Sequence, residues 1–283
     1  VVSIFLAYRQ IIEPPLPSTF KNKIITFEEI ENASEPSLDM AMSHVYNMTK
    51  KPHPSGSEEI GSVRKYLTDS IEKMGLKYEI QSFKRDVLGE RLNRHYQQIA
   101  DNPELGISRE KWAKEHGYNS FEDYYGEYYV GNTEYQNILV KIGPEDSKYK
   151  FLMMAHYDST KWGPGAGDDT ISVASLLECM RILSQKNNIE NTIYFLITDG
   201  EELGLVGSDY FVKHPLFNPK EITMITNFEA RGNKSIPLMY QSSENNKNLV
   251  KIVENVLRKK WMFSWVTDIF KIMPNTSDLK NFI

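Results

Sequence analysis

Cysteine is nearly absent from this 283-residue chain: Cys179 stands alone, so no intrachain disulfide can form. It lies in an apolar helical stretch, where a small buried hydrophobe is expected rather than a nucleophile. No long basic block occurs. The 33 Lys and Arg are outnumbered by 38 Asp and Glu, which argues against a nucleic-acid partner, since that would need clustered positive charge. Long apolar runs are missing too. The apolar start, Val1–Tyr8, is far short of the roughly 20 residues that cross a bilayer. It reads either as a short strand or arm, or as the last turns of a membrane helix that begins earlier. Without an initial Met or a basic stretch before it, it is not a complete signal peptide. What is present is an ordinary globular composition, 40% hydrophobic and 25% charged. The length suits one large α/β domain or two small ones.

Residues 1–36 read as an arm followed by a Pro-containing linker, and residues 37–283 as the main domain. Ile60, Val63, Tyr66, Leu67, Ile71 and Met74 recur at helical spacing. Gly75 ends that helix, and Leu76–Phe83 resembles a strand. Residues 85–131 differ: polar, crowded with tyrosines, and too long for a structureless loop. They are expected to form an inserted subdomain with a helix near Arg109–Glu115. After it, short apolar runs at 136–142, 150–155, 192–197 and 222–228 alternate with helical stretches near 169–186, 205–212 and 245–259. That rhythm predicts a largely parallel sheet covered on both faces.

Sites in open α/β sheets gather at the carboxyl ends of strands. After the run 150–155 come His156, Asp158 and Ser159; after 192–197 come Asp199, Glu201 and Glu202; after 222–228 comes Glu229. Gly165-Ala166-Gly167-Asp168-Asp169 opens a helix between the first two. So many carboxylates cannot share a partly dry cleft without cations. One imidazole with several carboxylates suits zinc or a similar divalent ion, and the excess of carboxylates suits two. Singly, each residue also has an ordinary structural reading, such as Asp168 and Asp169 complementing a helix N-terminus.

The ordered set His156-x-Asp158-Ser159, Gly165-Ala166-x-Asp168-Asp169 and Glu201-Glu202-x-Gly204-Leu205-x-Gly207-Ser208 resembles the dizinc aminopeptidases, the aminopeptidase Y and bacterial leucyl aminopeptidase group. Pro52-His53-Pro54-Ser55-Gly56-Ser57, Val63-Arg64-Lys65-Tyr66-Leu67, Asn227-Phe228-Glu229-Ala230-x-Gly232 and Pro274–Asp278 are similar to one branch, the endoplasmic reticulum metallopeptidase 1 (Fxna-type) and vacuolar membrane protease group. The insert stands outside the likeness. The resemblance implies a three-layer α/β/α zinc exopeptidase fold with a mixed, mostly parallel sheet, C-terminally incomplete here. It implies His156 and Glu229 on one zinc, Asp168 bridging two, Glu202 on the second, Glu201 as general base, and Asp158 holding the His156 ring. The late His that completes the second zinc in that family would fall beyond Ile283.

The expected activity is release of N-terminal residues from peptides, in a lumenal domain of the endoplasmic reticulum or vacuolar membrane anchored through segments outside this chain. Sequons at Asn32, Asn47, Asn233 and Asn275, where composition would give about two, favour a lumenal glycoprotein. The alternatives are a non-catalytic binding or scaffold module on the same fold, and a single-zinc acyltransferase of the glutaminyl cyclase type. Preferred residue, physiological substrate and oligomeric state are not legible.

Overall fold

The structure, a computed structural model, describes residues 21–214, 217–229, 238–256, 264–273 and 276–283. The apolar start, the first part of the linker, Ala230 and Gly232, the sequons at Asn233 and Asn275, and the end of the helix expected at 245–259 lie outside the described residues.

Helix α1 (Leu38–Met48) starts where the Ser37 hydroxyl accepts the N–H of Met40, and α2 (Glu58–Lys73) where Ser57 accepts that of Ile60. Glutamates open α2 and a lysine closes it, matching the helix dipole. Its stripe of Ile60, Val63, Leu67 and Ile71 is buried. Strand β1 (Tyr78–Asp86) runs straight into the insert, because the Asp86 carboxylate accepts the N–H of Gly89 at 2.9 Å and caps the next helix. The insert is three helices, α3 (Val87–Asp101), α4 (Pro103–Glu115) and α5 (Phe121–Tyr128). The single helix expected near Arg109–Glu115 is the second half of α4. Then follow β2 (Asn132–Ile142), β3 (Lys150–His156), α6 (Ile171–Ser184), β4 (Thr192–Thr198), α7 (Val206–Phe211), β5 (Met224–Asn227), α8 (Lys247–Val256), α9 (Ser264–Ile272) and a 3₁₀ turn at Asp278–Phe282.

The sheet has the order β1-β2-β4-β3-β5. β3 is parallel to β4 and β5, whereas β2 is antiparallel to β1 and β4. Four strands therefore point one way and β2 points the other, the mixed, mostly parallel sheet that was expected. Side chains alternate between faces. Phe195 and Ile197 pack with α1, α2 and α6 on one face. Leu196 packs with Leu152, Met154 and Phe211 of α7 on the other, joined by Leu279 and Phe282. The chain steps from β3 to β4 and then back past β3 to β5. That reversal opens a crevice at the carboxyl ends of the parallel strands.

Part of the stretch expected as a linker is fixed to α6. The buried Arg181 guanidinium donates to the carbonyls of Ile30, Ala33 and Glu35 at 3.2, 2.7 and 3.0 Å. Glu178 pairs with Arg181 at 2.8 Å and accepts the Ser37 N–H at 2.7 Å. Every donor and acceptor of the buried pair is thereby used.

Candidate metal centre

His156 is the last residue of β3, and its fully buried ring faces the crevice carboxylates. Nε2 lies 3.1 Å from Asp168 Oδ1 and 3.8 Å from Glu229 Oε1. On the other side, Nδ1 lies 3.0 Å from the Asp158 carbonyl and 3.3 Å from Asp158 Oδ1. The His156 N–H donates to Asp169 Oδ2 at 3.3 Å. Among the described residues, the ligand atoms of His156, Asp169 and Glu229 lie within 4.8 Å of one another. The adjacent aspartates have opposite surroundings: the Asp168 side chain is 58% exposed, whereas Asp169 is fully buried. Gly165, at φ +64°, lets the chain fold back to reach them, since a Cβ there would sit 2.7 Å from the Asp168 carbonyl oxygen and 2.9 Å from Ser159.

Glu201 and Glu202 lie on the turn after β4, both half-buried. Asp158 fixes that turn, taking the Glu201 N–H on Oδ1 at 3.0 Å and the Glu202 N–H on Oδ2 at 3.1 Å. One carboxylate therefore anchors both the imidazole and the glutamate pair.

Electrostatics follow from crowding. Burial pushes Glu201 up to about 9 and Glu202 up to about 7, with His156 opposing and the neighbouring acids adding. Asp169 is held well above the usual carboxylate range by burial, which Glu229 reinforces. Burial alone would lower His156, but its bonds to Asp158, Asp168 and Glu229 outweigh that and hold it well above its ordinary value. A divalent cation reverses this logic, favouring ionised carboxylates and a neutral imidazole. The donor set suits zinc. Asp169 Oδ1 adds to the fit, being buried without a hydrogen-bond partner.

The floor of the crevice is a polar network. Asp199 is fully buried. It accepts from the Ser55 hydroxyl at 2.6 Å and the Gln136 N–H at 3.0 Å, with Arg64 at 3.7 Å. Arg64 Nε donates to the Tyr157 hydroxyl at 2.7 Å. His53 and Ser159 are tied to each other, the His53 N–H reaching Ser159 Oγ at 2.8 Å and the Ser159 N–H the His53 carbonyl at 3.3 Å.

The structure thus brings His156, Asp168 and Glu229 together and puts Asp158 behind the ring. Glu201 and Glu202 stand on the adjoining turn, outside the tightest group. Sequence reasoning misses Asp169, which it gives only a helix-end role. The available signal was the apolar helix starting two residues later, which draws its first turn inward.

Comparison with known proteins places this geometry. The family model described as peptidase family M28 matches residues 137–283, a span that holds His156 through Glu229 and leaves out the insert. The vacuolar membrane protease of Kluyveromyces lactis is 29% identical over 215 residues, covering 76% of this chain and 21% of that protein. Endoplasmic reticulum metallopeptidase 1 of Rattus norvegicus is 30% identical over 149 residues, covering 51% and 16%. The chain spans about a fifth of the length of the curated relatives it matches. A zinc aminopeptidase from Bacillus subtilis superposes with TM-score 0.61 at 16% identity, over 89% of this chain and 83% of that one. A Porphyromonas gingivalis glutaminyl cyclase superposes with TM-score 0.58 at 17% identity, over 87% and 80%. These two share the fold.

Proposed function

The chain belongs to peptidase family M28, and from that premise we propose that it is a zinc-dependent exopeptidase of the aminopeptidase type. The carrying observation is the convergence of His156, Asp168, Asp169 and Glu229 beside Glu201 and Glu202 at the strand ends. In this reading His156 and Glu229 hold one zinc, Asp168 is shared, and Glu202 contributes to a second ion. Zinc, when bound, makes water nucleophilic near neutrality and polarises the scissile carbonyl. Glu201 accepts the attacking water's proton and returns it to the departing amine. Burial raises Glu201 and a bound cation would lower it again, so that a carboxylate set between these two influences can take a proton as well as give one. Asp158 keeps the His156 ring and the glutamate turn in register through its two oxygens.

The peptidase domain in this reading is residues 37–283, with 85–131 as an insert and residues 1–36 as a membrane-proximal arm. The relatives' names support association with an organelle membrane; in this reading the domain stands on the lumenal side of the endoplasmic reticulum, the vacuolar membrane being the alternative. No helix among the described residues is long and apolar enough to cross a membrane. The expected substrate is a peptide with a free N-terminus.

A second reading, a single-zinc acyltransferase of the glutaminyl cyclase type, has one observation in its favour. The tight group holds one imidazole and two carboxylates, and Glu202 is outside it. Zinc counting by plasma mass spectrometry, together with assays on an aminoacyl amide and on an N-terminal glutaminyl peptide, separates the readings. About two zincs and amide hydrolysis support the peptidase; one zinc and ring closure support the cyclase. No zinc would remove both and leave a binding module.

A further inference from the structure

The helical insert touches two of the loops at the metal centre. One is the loop 159–165, whose ends meet where Ser159 packs against Gly165 beside Asp168. At its tip Lys161 Nζ donates to the Glu127 carbonyl at 2.8 Å and to the Glu127 carboxylate at 2.9 Å, both at the end of α5. Next to it, Trp162 packs on Tyr128 with ring centroids 4.7 Å apart, and Lys161 caps the Trp162 ring at 4.8 Å. The other loop is the glutamate turn. Its Leu203 packs with Val87, Tyr129 and Val130 around the insert's two ends, and Arg91 of α3 lies against Gly204. The insert therefore frames the metal centre from two sides, and the exposed Asp168 side chain marks where that centre opens.

The rim so formed has a definite chemistry. Trp162 is 58% exposed and Tyr128 38% exposed, while the charge of Lys161 is met by Glu127. Two aromatic side chains are thus held together with part of their surface open to solvent, Tyr128 being backed in turn by Tyr124 and Trp112. Aromatic side chains held rigid lose little entropy on binding and favour apolar or aromatic partners.

We propose that the insert is one wall of the substrate cleft, and that Trp162 and Tyr128 are specificity-determining contacts for an apolar or aromatic side chain of the bound peptide. This rests on the peptidase reading for its substrate. The loop 159–165 links the two: it leads into Asp168 at one end and is clamped to α5 at its tip. Selection for side chains is thereby shared between Trp162, inside the family-matched segment, and Tyr128 of the insert, outside it.

The test uses the full zinc-loaded chain and two probes, triphenylalanine amide and trialanine amide. Trp162→Ala and Tyr128→Ala should each lower the kcat/KM preference for the phenylalanine probe about tenfold, and Trp162→Phe should recover most of it. Binding is read separately by calorimetry in a Glu201→Gln background, where the Kd of the phenylalanine probe should rise about tenfold on adding Trp162→Ala. An unchanged preference in a hydrolytically active chain overturns the proposal and leaves the peptidase reading intact. Binding that depends on Trp162 in a chain that hydrolyses neither probe supports the aromatic wall and overturns the peptidase reading. A phenylalanine probe that binds the Glu201→Gln chain alike with and without Trp162→Ala, or binds neither, also overturns the proposal.

Discussion

Ser55 and Asp199 are 144 positions apart, yet the serine hydroxyl reaches the aspartate carboxylate at 2.6 Å in the buried floor of the crevice. This bond joins the Pro-His-Pro-Ser stretch to the base of the glutamate turn. Burial raises Asp199 to about 7, and the Ser55 bond lowers it from what burial alone would give. Replacing Ser55 by Ala should destabilise the fold by roughly 1–3 kcal/mol, the cost of a buried charge losing a donor. Urea unfolding of the two proteins measures the difference; equal midpoints would show that water takes the hydroxyl's place.

Glu201→Gln keeps size and polarity but cannot carry a proton. Turnover should fall by roughly a hundred- to ten-thousandfold, with zinc content close to wild type because Glu201 holds no ion in the proposed arrangement. Activity retained by this variant would take the base role away from Glu201.

Asp169→Asn addresses the buried neighbour of Asp168. Its Oδ2 supports the His156 backbone and its Oδ1 is unpartnered, so loss of the negative charge should weaken zinc by roughly ten- to a hundredfold. Competition with a chromogenic chelator reads this directly. Unchanged affinity would mean that Asp169 is a packing residue.

Much of this centre is legible in the sequence because strand ends are. Short apolar runs give strands, the carboxyl ends of parallel strands share one rim, and His156, Glu201, Glu202 and Glu229 follow from counting. The division between Asp168 and Asp169 is not legible, since it depends on which side of a tight turn faces the core. Neither are the insert's first and third helices or the way it packs. Its packing is built on rings, with His95 stacked on Phe121 at 4.9 Å and Trp112 on His116 at 4.3 Å. Residues counted as polar there do the work of an aliphatic stripe, so helical periodicity is hidden. Arg181 escapes for a related reason: a charged residue on a helix reads as solvent-facing until the carbonyls it binds are seen.

Asp278 supplies a pH prediction. It is buried, accepts the Thr198 and Ser208 hydroxyls at 2.5 Å each, and burial raises it from 3.8 to about 6. Folding therefore favours its protonated form. The associated stability is present below about pH 4 and is lost as pH rises through about 6, amounting to at most roughly 3 kcal/mol. Urea midpoints of the chelator-treated protein between pH 5 and 7.5 should fall more steeply for wild type than for Asp278→Asn. Parallel profiles would assign the pH dependence to other groups.

Arg181→Met removes one member of the buried pair and leaves Glu178 uncompensated. A loss of roughly 3–5 kcal/mol is expected, and limited proteolysis should cut first within residues 30–37, where three carbonyls lose their donor. A variant with wild-type melting and no new cleavage would show that this segment is held by other means.

The main hydrophobic cluster draws on Ala41, Val45, Met48, Ile60, Val63, Leu67 and Ile71 as well as on residues of the matched span 137–283. The border of the family model is therefore not a border of cooperative folding. A fragment trimmed to that span would keep every acidic residue of the metal centre and lose α1 and α2, two of the three helices that cover one face of its sheet. The family model delimits the chemistry here, whereas autonomy of the folded unit begins about a hundred residues earlier.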